Sequence, residues 1–349
     1  MDQPNLLEYL EANRERLSPL LVLTHDFPDP DALASAYALQ YLAEKVVGIR
    51  SRIAYGGFVG RSENREMVRL LKIPAYKLRP SDFRSSAAVA LVDTQPGFDN
   101  HSFPRNRKAA IVIDQHQGAE APSADLVLLD NDAGATSTLL AQILLDAGVQ
   151  IPVRLATALV YGILSDTLDF YRVAHREVVE TYLRLLPMGD VHILARIQNP
   201  VRPRRYFNDL HHALTNAQVR QSLIVSHLGR VENPDLVSQM ADVLLTCERV
   251  EWALCTGRHG ENLHLSLRTT RADVTAGAIL RTVVDAPRQA GGHGRIAGGR
   301  MHVGKSQDEE RWSLLEQTVT QRLVDRLKLR KRGTFVPLVR TSIPPVPEG

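Results

Sequence analysis

LLVLTHDFPDPDALAS, residues 20–35, decides the reading of the first half of the chain. Leu20–Thr24 is a short unbroken apolar run of the kind that forms a strand buried on both faces. An alanine-rich segment with helical spacing begins near Ala32. Between them stands His25-Asp26-Phe27-Pro28-Asp29-Pro30-Asp31, so a polar cluster is predicted just past the carboxyl end of a strand. Open parallel sheets carry their ligands at that edge. Imidazole and carboxylates together suit a manganese-type divalent cation. A helix cap at Asp31 and a turn closed by Asp29 would use the same residues, and this stretch alone leaves both readings open.

Moving outward, Ala88–Val92 (AVALV) ends at Asp93, and Ala110–Ile113 (AIVI) ends at Asp114, followed by Gln115 and His116. Leu126–Leu129 is a further apolar run, while Ala32–Ala43, Ser62–Leu71, Ala135–Ala147 and Arg154–Leu164 carry helical periodicity. Strand and helix in alternation predict an α/β domain with a mainly parallel sheet. Acids at the ends of three separate buried strands would converge if the strands are neighbours. Like charges buried together are costly without a compensating cation. That argument favours a metal site. Asp166, at the end of the apolar helix 154–164, is a further candidate, although such a residue is often only a helix-end or turn acid.

The remaining sequence divides in the same way. The expected boundaries are a first domain over 1–187, a linker with a short helix over 188–215 punctuated by Pro200 and Pro203, a smaller α/β domain over 216–332 and a tail over 333–349. In the smaller domain Ser222–Leu228, Trp252–Gly257 and Leu263–Leu267 read as strands, Val274–Val284 as a helix and Gly291–Gly299 as a glycine-rich loop. A basic helix is expected to end in Arg330-Lys331-Arg332. Hydrophobic residues make up 44% of the 349 and charged residues 23%, enough for two substantial cores. The net charge of +3 suits an anionic ligand without demonstrating one. Cys247 and Cys255 lack the spacing of a zinc site and read as reduced thiols. With no secretory leader pattern and no apolar run of about 18 residues, a cytoplasmic protein without a membrane partner is expected.

Taken together, the motifs resemble the DHH superfamily of phosphoesterases. HDFPDPDALAS is similar to its first motif, VDTQP (92–96) to the second, IDQHQG (113–118) to the third and GILSDT (162–167) to the fourth. GATST at Gly134–Thr138 also matches a segment typical of the family. The resemblance implies a two-metal site, with manganese expected and magnesium as the alternative. His25 and Asp29 would hold one ion, Asp31 and Asp166 the other, with Asp93 bridging and Asp114 and His116 beside the substrate phosphate. Two ions so placed flank both sides of an in-line phosphoryl displacement. The signature triplet Asp-His-His reads Asp114-Gln115-His116 here. A neutral amide in the middle position implies a weaker or different second ion. Hydrolysis remains the reading, because every acidic ligand position is filled.

Ala290–Gly299 (AGGHGRIAGG) resembles the glycine-histidine motif of the DHH-associated C-terminal domain, with Ser266-Leu267-Arg268 as its upstream element. On that resemblance Arg268, Ser266, Gly291, Gly292 and His293 hold a substrate phosphate or nucleotide, with a cleft between the two domains. The substrates implied are short oligoribonucleotides, adenosine 3′,5′-bisphosphate or cyclic dinucleotides, not long duplexes, and a homodimer is compatible. Two rivals are an inorganic pyrophosphatase or exopolyphosphatase, and a non-catalytic nucleotide-binding protein suggested by Gln115. His101, His175, His211, His212, His259 and His264 lack ligand spacing and read as surface or structural residues.

Overall fold

The central strands of the first sheet form because their side chains are apolar on both sides. A computed structural model describes residues 5–98, 100–118, 122–171, 175–271, 273–292, 294–304, 308–329 and 333–339. Two compact units emerge, Met1–Pro200 and Val201–Gly349.

In the first unit, β1 (Leu20–Thr24), β2 (Ser51–Tyr55), β3 (Ala75–Lys77), β4 (Ala88–Val92), β5 (Ala109–Asp114) and β6 (Ala124–Leu129) make one parallel sheet in the order β3-β2-β1-β4-β5-β6. β1, β4 and β5 are buried along their whole length. Leu20, Val22, Ala90, Val92, Ile111 and Ile113 face one core, and Leu21, Leu23, Val89, Leu91 and Val112 the other. The strand order reverses direction between β1 and β4, and the crevice left at such a switch point is where open α/β sheets bind ligands.

The larger core is closed by α3 (Pro30–Tyr41), α6 (Thr136–Asp146) and α7 (Val153–Thr167), to which α1 (Leu6–Ala12), α2 (Arg14–Leu17), α4 (Ser62–Leu71), α8 (Arg176–Leu185) and α9 (Val191–Gln198) add a periphery, while Phe83 of α5 (Pro80–Ser85) packs on the other core. α3 runs into a π-helical turn, Leu42–Val47, ended by Gly48 at φ +82°. α3, α6 and α7 meet closely at Gly162, where a Cβ would lie 2.2 Å from the Ser137 Oγ.

The second unit has α10 (Arg204–Asn216), β7 (Gln218–Arg220), β8 (Leu223–Arg230), α11 (Asp235–Leu245), β9 (Trp252–His259), β10 (Asn262–Thr269), α12 (Ala276–Arg281), β11 (Ala290–Gly291), β12 (Ile296–His302), α13 (Glu309–Arg326) and β13 (Val336–Pro337). Its mixed sheet has the order β11-β12-β10-β9-β8-β7-β13, with β8 and β9 parallel and the other pairs antiparallel. Cores lie on both faces, one around Leu223, Trp252, Leu254 and Leu267, the other around Ile224, Ala253, Cys255 and Met240.

The α/β class and the parallel first sheet are as expected, and several local readings are corrected. Gly291–Gly299 is not a loop throughout: Ala290 and Gly291 pair with Gly299 and Gly298, so its ends are strand. Gly292 itself sits at φ +146°, and a Cβ there would come within 2.2 Å of the Ile296 carbonyl oxygen. β2, β3 and α11 carried no expectation, and the segment expected as a linker with one short helix holds α9 and most of α10. His293 and Arg330–Arg332 lie outside the described residues. No helix among the described residues is long and apolar enough to cross a membrane.

Candidate metal centre

Both central strands deliver a side chain to the switch point. His25 follows β1, Asp93 follows β4, and the imidazole Nε2 lies 3.5 Å from Asp93 Oδ2. The His25 Nδ1 is 2.9 Å from the Asp26 carbonyl oxygen, a contact in which the nitrogen must donate. This sets the tautomer and leaves Nε2 with its lone pair toward the acids in the neutral ring. Asp29 Oδ1 stands 3.7 Å from the same Nε2. It also accepts the Ala32 N–H at 3.0 Å, so Asp29 is at once the N-cap of α3 and part of the cluster. His25, Asp29 and Asp93 each bring one ligand-type atom within 4.8 Å of the others.

Asp93, Asp114 and His116 form a second such group, so Asp93 belongs to both. Asp93 holds the left-handed conformation, φ +58°, while its N–H donates to the Ile113 carbonyl at 2.9 Å. Its Oδ1 accepts the Thr136 hydroxyl at 2.9 Å. Asp114 Oδ1 accepts from His116 twice, from the backbone N–H at 3.1 Å and from the ring Nδ1 at 2.8 Å. Asp114 Oδ2 is buried and makes no hydrogen bond among the described residues.

Asp31, Gln115 and Asp166 stand outside these two groups but within the same network. Asp31 is buried, with Oδ2 accepting the Thr136 N–H at 2.8 Å and Oδ1 the Ser137 N–H at 2.7 Å. It therefore sits on the amino end of α6, not only in the first turn of its own helix. Oδ1 also accepts the Ser35 hydroxyl at 3.4 Å, while Oδ2 retains a second lone pair. Gln115 Nε2 donates to Asp166 Oδ2 at 2.9 Å and lies 3.1 Å from His116 Nε2. The glutamine thus joins β5 to the end of α7 where the family triplet has histidine.

The electrostatics describe a site short of positive charge. Burial, with the charges of Asp93 and Asp29, holds the Asp31 carboxyl well above the usual range. Burial also raises Asp93, to about 6, against the pull of His25. For His25 burial acts downward, but Asp29 and Asp93 carry the imidazole well above its ordinary value. In His116 burial is likewise overcome, by the Asp114 hydrogen bond first, and the ring is raised to about 10. Asp29 is pulled below the carboxylate range by His25, which outweighs its own burial. Five carboxylates and two imidazoles share this space, and protons are retained on groups that would otherwise release them. A divalent cation removes that need. The donor set fits one: mixed nitrogen and oxygen, a lone pair aimed by a fixed tautomer, and an orphaned buried oxygen on Asp114.

Residues 19–163 match the model of the DHH family, N-terminal domain. Residues 19–163 are therefore similar to a DHH-family N-terminal domain. The DHH domain covered by that match contains every residue of both three-residue groups, with Asp166 just beyond it. An uncharacterized protein of Methanocaldococcus jannaschii is 31% identical over 327 residues, covering 92% of this chain and 66% of that protein. Probable manganese-dependent inorganic pyrophosphatases of Streptococcus pyogenes are 27% identical over 154 residues, covering 44% of this chain and 49% of theirs. The chain thus spans one half to two thirds of the length of these curated relatives. Among solved structures, an exopolyphosphatase-related protein from Bacteroides fragilis shares the fold, with a TM-score of 0.71 at 16% identity over 92% of this chain and 97% of that one. Exonuclease RecJ bound to manganese superimposes with a TM-score of 0.50 at 16% identity, over 94% and 97% of the two chains.

The residues expected to hold substrate lie in the second unit. Arg268 is buried, its Nε 2.5 Å from Asp242 Oδ1 and its Nη1 donating to the Leu267 and Ala297 carbonyls. The guanidinium is therefore compensated within the unit. Ser266 Oγ is buried and makes no hydrogen bond among the described residues. Ser266 pairs with Gly298, which pairs in turn with Gly291. A Cβ on either of these glycines would meet open space, so bare backbone faces outward beside the serine. Sequence reasoning did not assign Thr136 and Ser137 a role, although GATST was noticed. Their signal was a hydroxyl-rich helix start, whose use depends on which acid packs against it.

Proposed function

We propose that this protein is a divalent-metal-dependent phosphoesterase that hydrolyses a small nucleotide or very short RNA. The observation that carries the reading is the pair of acid and imidazole groups sharing Asp93 at the switch point of the parallel sheet. One ion would be held by His25, Asp29 and Asp93. The second would be held by Asp93 with Asp31 and Asp166, beside Gln115, with Asp114 as a further oxygen donor. Bound there, divalent cations supply charge neutralisation and Lewis-acid polarisation at phosphoryl oxygens. His116, held at Nδ1 by Asp114, is assigned to hydrogen-bonding and protonating the leaving oxygen. Thr136 and the amino end of α6 keep the Asp93 and Asp31 carboxylates oriented. In the second unit, Ser266, Gly291, Gly292 and His293 are assigned to binding the nucleotide. Arg268 would join them by exchanging part of its Asp242 pairing.

A second reading, inorganic pyrophosphatase, is favoured by the likeness of part of the chain to the streptococcal enzymes. The two separate on a panel of a 5′-phosphorylated dinucleotide, adenosine 3′,5′-bisphosphate, a cyclic dinucleotide, a longer RNA and pyrophosphate. Each is assayed with manganese, magnesium or chelator. Manganese-dependent release from the dinucleotide or bisphosphate is expected. Turnover of pyrophosphate alone would establish the second reading. Nucleotide binding with no turnover at any metal would overturn both.

A further inference from the structure

We propose that Phe27 and Phe58 form an aromatic platform that stacks a nucleobase of the substrate. The proposal rests on the phosphoesterase reading and names what lies beside the phosphate. The turn after β1 and the turn after β2 are adjacent at the carboxyl edge of the sheet. There the Phe27 N–H donates to the Gly56 carbonyl at 3.0 Å, and Asn64 Nδ2 donates to the Pro28 carbonyl at 3.3 Å. The two rings meet edge to face, 5.1 Å between centroids at 88°. They are nevertheless 53% and 38% exposed, in a chain that hides most of its large apolar side chains.

The pair is fixed as well as exposed. Phe27 adopts φ +58°, a conformation an aromatic residue seldom takes, and Gly57 beside it has φ +69°. A Cβ on Gly57 would stand 2.6 Å from the Phe27 ring, so that ring lies directly on the glycine backbone. Backbone strain here holds an apolar ring in solvent two residues from His25 and two from Asp29. Two rings are too small a surface for a protein partner. Every nucleobase, by contrast, presents a π-face of matching size, and exposed aromatic rings are its usual stacking platform. Inorganic pyrophosphate would give the pair nothing to hold.

The test compares KM for a 5′-phosphorylated dinucleotide and its abasic analogue in the full chain with manganese. Phe27→Asn is the informative variant, because asparagine tolerates the left-handed backbone and only the ring is lost. Phe58→Ala removes the second ring independently, and Phe27→Tyr should restore the first. The wild type should prefer the base-bearing substrate about ten-fold in KM, and Phe27→Asn should lose that preference, with kcat changing less. Equal KM values for the two substrates in the wild type, or a preference retained in Phe27→Asn, would overturn the platform and leave the phosphoesterase reading standing. If neither substrate turns over, that reading fails and stacking is decided by adenosine 5′-monophosphate with magnesium. Upfield ring-current shifts of its adenine protons in the wild type, lost in Phe27→Asn, would support the platform; no shift would overturn it.

Discussion

The His25 Nε2 lies 3.5 Å from Asp93 Oδ2, and the two residues end adjacent strands on opposite sides of the point where the sheet reverses its order. Asp93 is also shared by both groups of metal-capable atoms, which makes it the most informative single position. Asn is nearly isosteric and accepts the left-handed φ of +58° that Asp93 adopts. Asp93→Asn should therefore fold with a melting temperature within a few degrees of the parent, while manganese-dependent turnover falls at least about a thousand-fold. Full activity in that variant would remove the shared-carboxylate arrangement from consideration.

Thr136→Val deletes the hydroxyl that donates to Asp93 Oδ1 at 2.9 Å while keeping the volume. Partners of this kind orient a ligand, and losing one costs about 10–100-fold in metal affinity. Calorimetric titration with manganese should show that weakening, and Thr136→Ser should largely restore it. Equal affinity in all three proteins would show that the hydroxyl does not orient the carboxylate.

Gln115→His restores the imidazole found in the family triplet, next to Asp166. Manganese affinity at the weaker site should rise, by about ten-fold or more, since imidazole is the better nitrogen donor. An unchanged titration would place position 115 outside the coordination shell.

Gly162→Ala tests the packing of the helices that carry the acids. The new Cβ would meet Ser137 Oγ at 2.2 Å and the Ala34 Cβ at 3.1 Å. Ser137 is buried and its hydroxyl is 3.2 Å from that of Ser35, so the contact cannot be relieved by a simple rotation into solvent. The variant should lose about 1–3 kcal/mol of stability by denaturant titration. A loss below about 0.5 kcal/mol would show that α7 can shift freely against α6.

The second unit should weaken in mild acid. Burial, then the neighbouring His259 and Arg300, lower the His264 imidazole to about 4. The unfolded chain, with an ordinary value of about 6.5, binds the proton first as pH falls. The stabilisation is present in full above about pH 6.5 and is lost on descent toward pH 4. His264→Gln should flatten that part of the stability–pH curve by an amount on the order of 1 kcal/mol, after allowing for the ring's remaining exposure. An identical curve in the variant would assign the loss to other groups.

How far these features could be read in advance follows from burial. β1, β4 and β5 are covered on both faces, so each is a continuous apolar run that announces itself. β2 (SRIAY) and β3 (AYK) lie toward one side of the same sheet, and β3 is largely uncovered at its edge. Their mixed composition carries no such run. β12 differs for another reason: Gly298 and Gly299 offer no side chain to alternate, and Gly299 lies where α12 and β11 pack closely. The helix α11, by contrast, carries helical periodicity in Leu236, Val237, Met240, Ala241 and Leu244, all of them buried.

By itself the sequence determined that His25, Asp93 and Asp114 stand at the ends of buried strands, because residue type and local apolar pattern are properties of a short stretch. It determined the parallel α/β class for the same reason. Which acids meet was decided only in three dimensions. The strand order puts His25 beside Asp93, the approach of α6 gives Asp31 two backbone donors and Asp93 a hydroxyl, and the meeting of the turn after β1 with the glycine-rich turn after β2 leaves Phe27 and Phe58 facing water. Those are contacts between segments far apart in the chain. Their formation depends on sheet register and helix packing, which no local stretch of residues specifies.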